Sequence, residues 1–109
     1  MNYLYQSKQM VVDALLKVVN AAPNSQLQTA YYSYYLPQNQ PRPISNQDFT
    51  TWINYVNSIL DISYNHTGLN DILSTKINVS QIAIQNDVLY EQRIERIKYE
   101  ILNLARGIL

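Results

Sequence analysis

Cysteine is absent from the 109 residues, histidine occurs once, glycine twice, and only 15% of the side chains carry charge. Each scarcity removes a class of chemistry. Without cysteine there is no disulfide staple, no redox CxxC pair and no thiolate nucleophile, and with His66 alone neither a structural zinc site nor an HExxH metallohydrolase can be assembled. Gly68 and Gly107 cannot supply a phosphate-cradling GxxxxGK loop or a GxGxxG dinucleotide turn. No catalytic residue, cofactor site or metal site is therefore expected. The missing cysteines leave the redox compartment open, because such a chain folds equally well in a reducing cytosol or outside a cell.

Charge is scarce and also balanced. Eight basic and eight acidic residues give a net charge of zero, and the polarity comes instead from twelve Asn, ten Gln and ten Tyr. Soluble proteins usually carry roughly 25% charged residues. A neutral chain has no long-range attraction to phosphate, so nucleic acid is a poor default partner. A transmembrane helix needs about 20 consecutive apolar residues. The longest stretch without charge, Val18 to Pro41, is broken by amides and three prolines, so no transmembrane segment is expected. The opening Met1-Asn2-Tyr3-Leu4-Tyr5-Gln6 lacks the basic start of a secretory signal. The expected location is cytoplasmic or virion-associated.

Along the chain, Leu4, Val11, Leu15, Val18 and Ala22 recur at helical spacing, with Val12, Leu16 and Val19 beside them. The polar line Gln6, Gln9, Asp13, Lys17 and Asn20 is narrow, and Asp13 stands four residues before Lys17, a favourable surface spacing. So wide an apolar arc predicts a helix from Asn2 to Ala22 buried between two elements, or between the fold and another subunit, and ended by Pro23. Ser25-Gln26-Leu27-Gln28 matches the S-x-x-Q capping box. A helix over 25–36 is the better reading of the tyrosine-rich stretch that follows, since one strand alone would have nothing to pair with. Residues 37–44 hold three prolines and form an extended connector.

Ser45-Asn46-Gln47-Asp48 is a second capping signal, with an acid in the first turn where the helix dipole favours it. Phe49, Trp52, Ile53, Val56, Ile59 and Leu60 then mark one helical face. The pattern fades at Asn65-His66-Thr67-Gly68, where Gly68 is suited to the left-handed position that closes a helix. A short segment from Leu69 to Ile77 shows Leu69, Ile72, Leu73 and Ile77 on one face. For residues 76–85, β-branched alternation suggests a strand, whereas Asn78 and Gln81 read equally well as a cap. From Tyr90 the apolar positions Ile94, Ile97, Ile101, Leu104 and Ile108 step by four and three, a heptad seam. Asp87 interrupts it, so the helix begins or turns its face near there.

Several residues invite a chemical reading. Tyr31, Tyr32, Tyr34 and Tyr35 point in separated directions on a helix and offer large contact area at low entropic cost, so they are the candidate partner-binding residues. His66, with Asp61 and Asp71 each five residues away, has the types of a general base and its orienting acid. No nucleophile motif accompanies it, and a solvated loop histidine is the preferred reading. Glu91 and Glu95 resemble half of a carboxylate di-metal site, but the ExxH partners are missing. The tripeptides Asn65-His66-Thr67 and Asn78-Val79-Ser80 fit the glycosylation pattern at a frequency that this composition produces by chance. Arg93, Arg96, Lys98 and Arg106 alternate with Glu91, Glu95 and Glu100, which predicts a solvated face with i,i+4 pairs such as Arg96 with Glu100. The Tyr90–Ile108 seam spans under three heptads, so packing within its own chain is favoured over a coiled coil.

These readings converge on one all-α domain, a compact bundle of four or five helices that self-associates. Its central pair is expected to be the Phe49–Leu60 and Tyr90–Ile108 helices, and its anchors Leu15, Phe49, Trp52, Ile53, Val56, Leu60, Ile94, Ile97, Ile101 and Leu104. A domain of this size buries only about 60–65% of its surface, so with 47% apolar residues some stay uncovered. The low-charge, amide- and tyrosine-rich composition resembles that of many small viral and phage proteins. The expected function is a non-enzymatic structural or assembly protein, virus- or mobile-element-encoded and homo-oligomeric. The alternative is a small module that docks on a host protein through its tyrosines.

Overall fold

The computed structural model describes residues 3–24 and 43–108, with side chains from residue 8 onward, and among these residues it is helical with no strand. The helices are α1 (Tyr3–Asn20), α2 (Asn46–Thr67), α3 (Asn70–Ala83) and α4 (Tyr90–Ile108). The stretch 25–36 and most of the proline connector lie outside the described residues.

Helix boundaries follow local chemistry. At α2 the Ser45 backbone is extended, φ −75° and ψ 154°, and its Oγ accepts from the Asp48 amide at 3.1 Å. The cap satisfies one of the donors that a helix start leaves without a partner. At the other end Gly68 has φ 66° and donates its amide to the Tyr64 carbonyl at 2.7 Å. This left-handed closure lets the chain reverse within two residues. The helix is longer than its apolar stripe suggested, so His66 stands in the last helical turn and not in a loop. α1 ends just before Ala21, Ala22 and Pro23, where the Ala21 and Ala22 amides close the final turn.

The principal packing partners are α1 with α2, α2 with α3, α3 with α4, and α4 with α1. Cross-links show that successive helices run antiparallel. The Trp52 indole near the start of α2 reaches the Val18 carbonyl near the end of α1, the Asp61 and Lys76 side chains join α2 to α3, and Asn78 donates to Glu100 across α3 and α4 at 3.4 Å. This is an up-down-up-down bundle of four helices among the described residues. The expectation that α2 and α4 form the central pair is corrected. They lie across the diagonal and meet at their N-terminal ends, where the Phe49 and Tyr90 rings stand 4.7 Å apart. Each has an apolar face wide enough for two neighbours, and α1 and α3 fill the places between them.

Of the expected anchors all but Ile53 are buried, and Ile53 packs half-buried against the same cluster. The wide arc of α1 is explained by its two neighbours, with Val11, Val12, Leu15 and Val18 inside. Residues 76–85 need a correction of both readings. Helix α3 runs through them to Ala83 with no break at Asn78. Its buried face is Ile72, Thr75 and Val79, so the expected Leu73 and Ile77 fall outside it. Antiparallel α2 and α4 set the rotation of α3, and that rotation places a threonine inside and two aliphatic side chains outside.

Candidate interaction surface

The four tyrosines singled out for partner binding, Tyr31, Tyr32, Tyr34 and Tyr35, lie outside the described residues. The heptad seam is internal: Ile94, Ile97, Ile101, Leu104 and Ile108 are buried within the chain's own bundle. The acid–base candidates separate. Asp61 is tied to Lys76 on the α3 side, while His66 lies against Met10 and Ile62 on the α1 side. Five residues of helix turn two side chains about 140° apart, so Asp61 and His66 cannot converge on one substrate. Glu95 pairs with Lys98 at 3.0 Å, one turn along α4. Among the described residues no three His, Asp or Glu side chains gather as a metal site would need, and no helix is long and apolar enough to cross a membrane.

The charged face of α4 also differs from expectation. Arg96 donates to Gln85 in the α3–α4 connection at 3.2 Å and Glu100 accepts from Asn78 of α3, so the two do not pair with each other. Asp13 on α1 likewise accepts from Gln9 at 3.0 Å, not from Lys17. The largest departure is Arg93, expected on the solvated face and in fact only 6% exposed. Its Nε donates to the Val88 carbonyl at 2.8 Å and its Nη1 to the Ala83 carbonyl at 3.0 Å. The guanidinium carbon sits 4.5 Å from the Tyr90 ring centre and 5.0 Å from that of Phe49. A buried cation is costly unless its donors are used. Here backbone oxygens and two aromatic faces replace water, and Ala83, as the last residue of α3, presents the negative end of that helix. A sequence signal for this burial exists, since Arg93 follows Tyr90 by three positions and precedes Ile97 by four on the inward stripe.

Arg93 thereby fixes the connection between α3 and α4. Turn hydrogen bonds from Gln85 to Ile82 and from Val88 to Gln85, and the Arg93 amide to Leu89, add backbone pairing to it. The result is a corner tied by side chain and backbone, at which Ile84 and Leu89 are 74% and 64% exposed. The sequence places Ile84 in the β-branched alternation over 76–85 and Leu89 one position before the seam, so neither is expected as exposed surface. Met10 and Ile62 are also largely exposed, and with Val11, Ala14, Ile59 and His66 they line a groove of about 130 Å³ between α1 and α2. A third exposed set, Leu73 and Ile77, runs along the outer face of α3. A larger groove of about 380 Å³ lies between the end of α1 and α4, with Val19, Ile44 and Ile94 as its apolar part and Glu91, Glu95 and Lys98 as its charged part.

Compared with known protein families, curated proteins and solved structures, the chain matches none.

Proposed function

We propose that this chain is a non-enzymatic structural or assembly protein that works as a homo-oligomer through its helix faces. What supports the reading is the distribution of apolar surface. A sealed core coexists with large aliphatic side chains left in water on three separate surfaces, the α3–α4 corner, the α1–α2 groove and the outer face of α3. Single exposed aliphatic residues are ordinary, but grouped ones mark interaction sites. A net charge of zero leaves copies of the chain without mutual repulsion. The composition it shares with small viral and phage proteins favours a viral or mobile-element setting.

Light scattering across a hundredfold range of concentration tests this. The expected result is a mass that rises above the 12.7 kDa of one chain. A constant monomer mass would overturn the proposal.

A further inference from the structure

We propose that copies of the chain join head to tail, with the Ile84–Leu89 corner of one seated in the α1–α2 groove of the next. The inference rests on the self-association reading and deepens it by naming the two surfaces that meet.

Position comes first. The corner lies where α3 ends and α4 begins, and the groove is built from the middle of α1, Met10 to Ala14, and the last half of α2. Because α2 and α3 run antiparallel, the groove reaches from mid-height away from the end that carries the corner, and the two surfaces occupy opposite sides, α3–α4 against α1–α2. One protrusion and one depression so placed cannot satisfy each other within a chain. They also do not form a twofold-symmetric contact, in which the same patch faces itself. They fit a heterologous contact, which closes into a ring or runs on as a filament according to its rotation.

Size and charge agree with that occupant. A cavity of roughly 150 Å³ accepts a benzene ring, so the groove of about 130 Å³ has space for one branched aliphatic side chain. Its lining includes His66, while the corner carries Asp87 between its two aliphatic residues in sequence. The groove thus offers a donor and the corner a carboxylate. His66 can donate to Asp87. Since Arg93 already holds the corner in place, docking requires little ordering.

Two double variants test the proposal, Ile84→Asp with Leu89→Asp at the corner and Met10→Asp with Ile62→Asp at the groove. All four positions are more than half exposed, the least being Ile62 at 53%, so each variant should keep its helical circular dichroism. Each alone should remain at the 12.7 kDa monomer mass. Mixed, they should form a species of twice that mass and no larger, because one intact corner and one intact groove remain. If the parent chain assembles but the groove variant assembles equally well, or the mixture stays monomeric, the head-to-tail contact is wrong while self-association stands. If the parent chain itself never exceeds the monomer mass, both proposals fall.

Discussion

Helices α2 and α3 are neighbours separated only by Gly68 and Leu69, yet they are specified in different ways. α2 has a side-chain cap at Ser45, a left-handed glycine at its end and a stripe whose buried members are Phe49, Trp52, Val56, Leu60 and Ser63. α3 has no side-chain cap at Leu69, and it buries Thr75 while leaving Leu73 and Ile77 in water. Where cap, stop and stripe agree, a helix determines its own inward face. Where they are weak, the neighbours decide, and aliphatic side chains are left over for another use.

If that contrast is sound, the largest loss of stability should come from the face α2 determines for itself. Trp52 is buried and its indole donates to the Val18 carbonyl at 2.8 Å. Trp52→Ala should cost about 3–5 kcal/mol by creating a cavity between α1 and α2. Trp52→Phe keeps most of the ring and removes the donor. The Ala21 amide also reaches the Val18 carbonyl, at 3.3 Å, so the further loss should be near 1 kcal/mol. Urea denaturation midpoints measure both, and a Trp52→Ala loss under about 1 kcal/mol would mean that α1 does not pack here.

Next in size should be Arg93, which belongs to α4 but finishes α3. Arg93→Met preserves much of the stem and strands the Ala83 and Val88 carbonyls, for an expected loss of about 2–3 kcal/mol. Arg93→Lys keeps the charge without the planar fork and should recover only part of it. Hydrogen exchange separates this from a general weakening: amides of 84–93 should lose protection ahead of those in α2. Uniform loss across both helices would show that the corner is not a separately held unit.

The ends of α2 come third. A Cβ at Gly68 would meet no atom within 4 Å, so Gly68→Ala is opposed only by the φ of 66°. That should cost roughly 1–2 kcal/mol. Ser45→Ala removes the cap to Asp48 and should cost about 1 kcal/mol. Equal thermal melting of parent and variants would show that these ends add nothing to the specification of α2.

The parts of the fold legible in sequence are those where one helix carries its own signal. The Ser45 cap, the Gly68 stop, the start of α4 at Tyr90 and the α1 stripe from Val11 to Val18 are all local facts. The diagonal placement of α2 and α4 is not local, because it depends on which pair of faces α1 and α3 cover. The rotation of α3 is not local either, since Leu73 and Ile77 form a helical stripe as regular as Ile72, Thr75 and Val79. Arg93 was hidden by its neighbours: Glu91, Glu95 and Arg96 made it look like one more solvated charge. The candidate surface is legible least, because Ile84 reads as part of a strand-like alternation and Leu89 belongs to no periodic pattern, and they become a feature only when the corner is held.

The smallest expected effect is also the sharpest test of the leftover face. Ile77 is 58% exposed on the outside of α3, so Ile77→Ser should change stability by no more than about 0.5 kcal/mol. The value should be the same at low and high protein concentration, because the proposed head-to-tail contact leaves this face free. A loss above about 1 kcal/mol that appears only at high concentration would mean that a second copy covers Ile77. The exposed stripe of α3 would then be the interface, and α3 would owe its rotation to a partner as well as to α2 and α4.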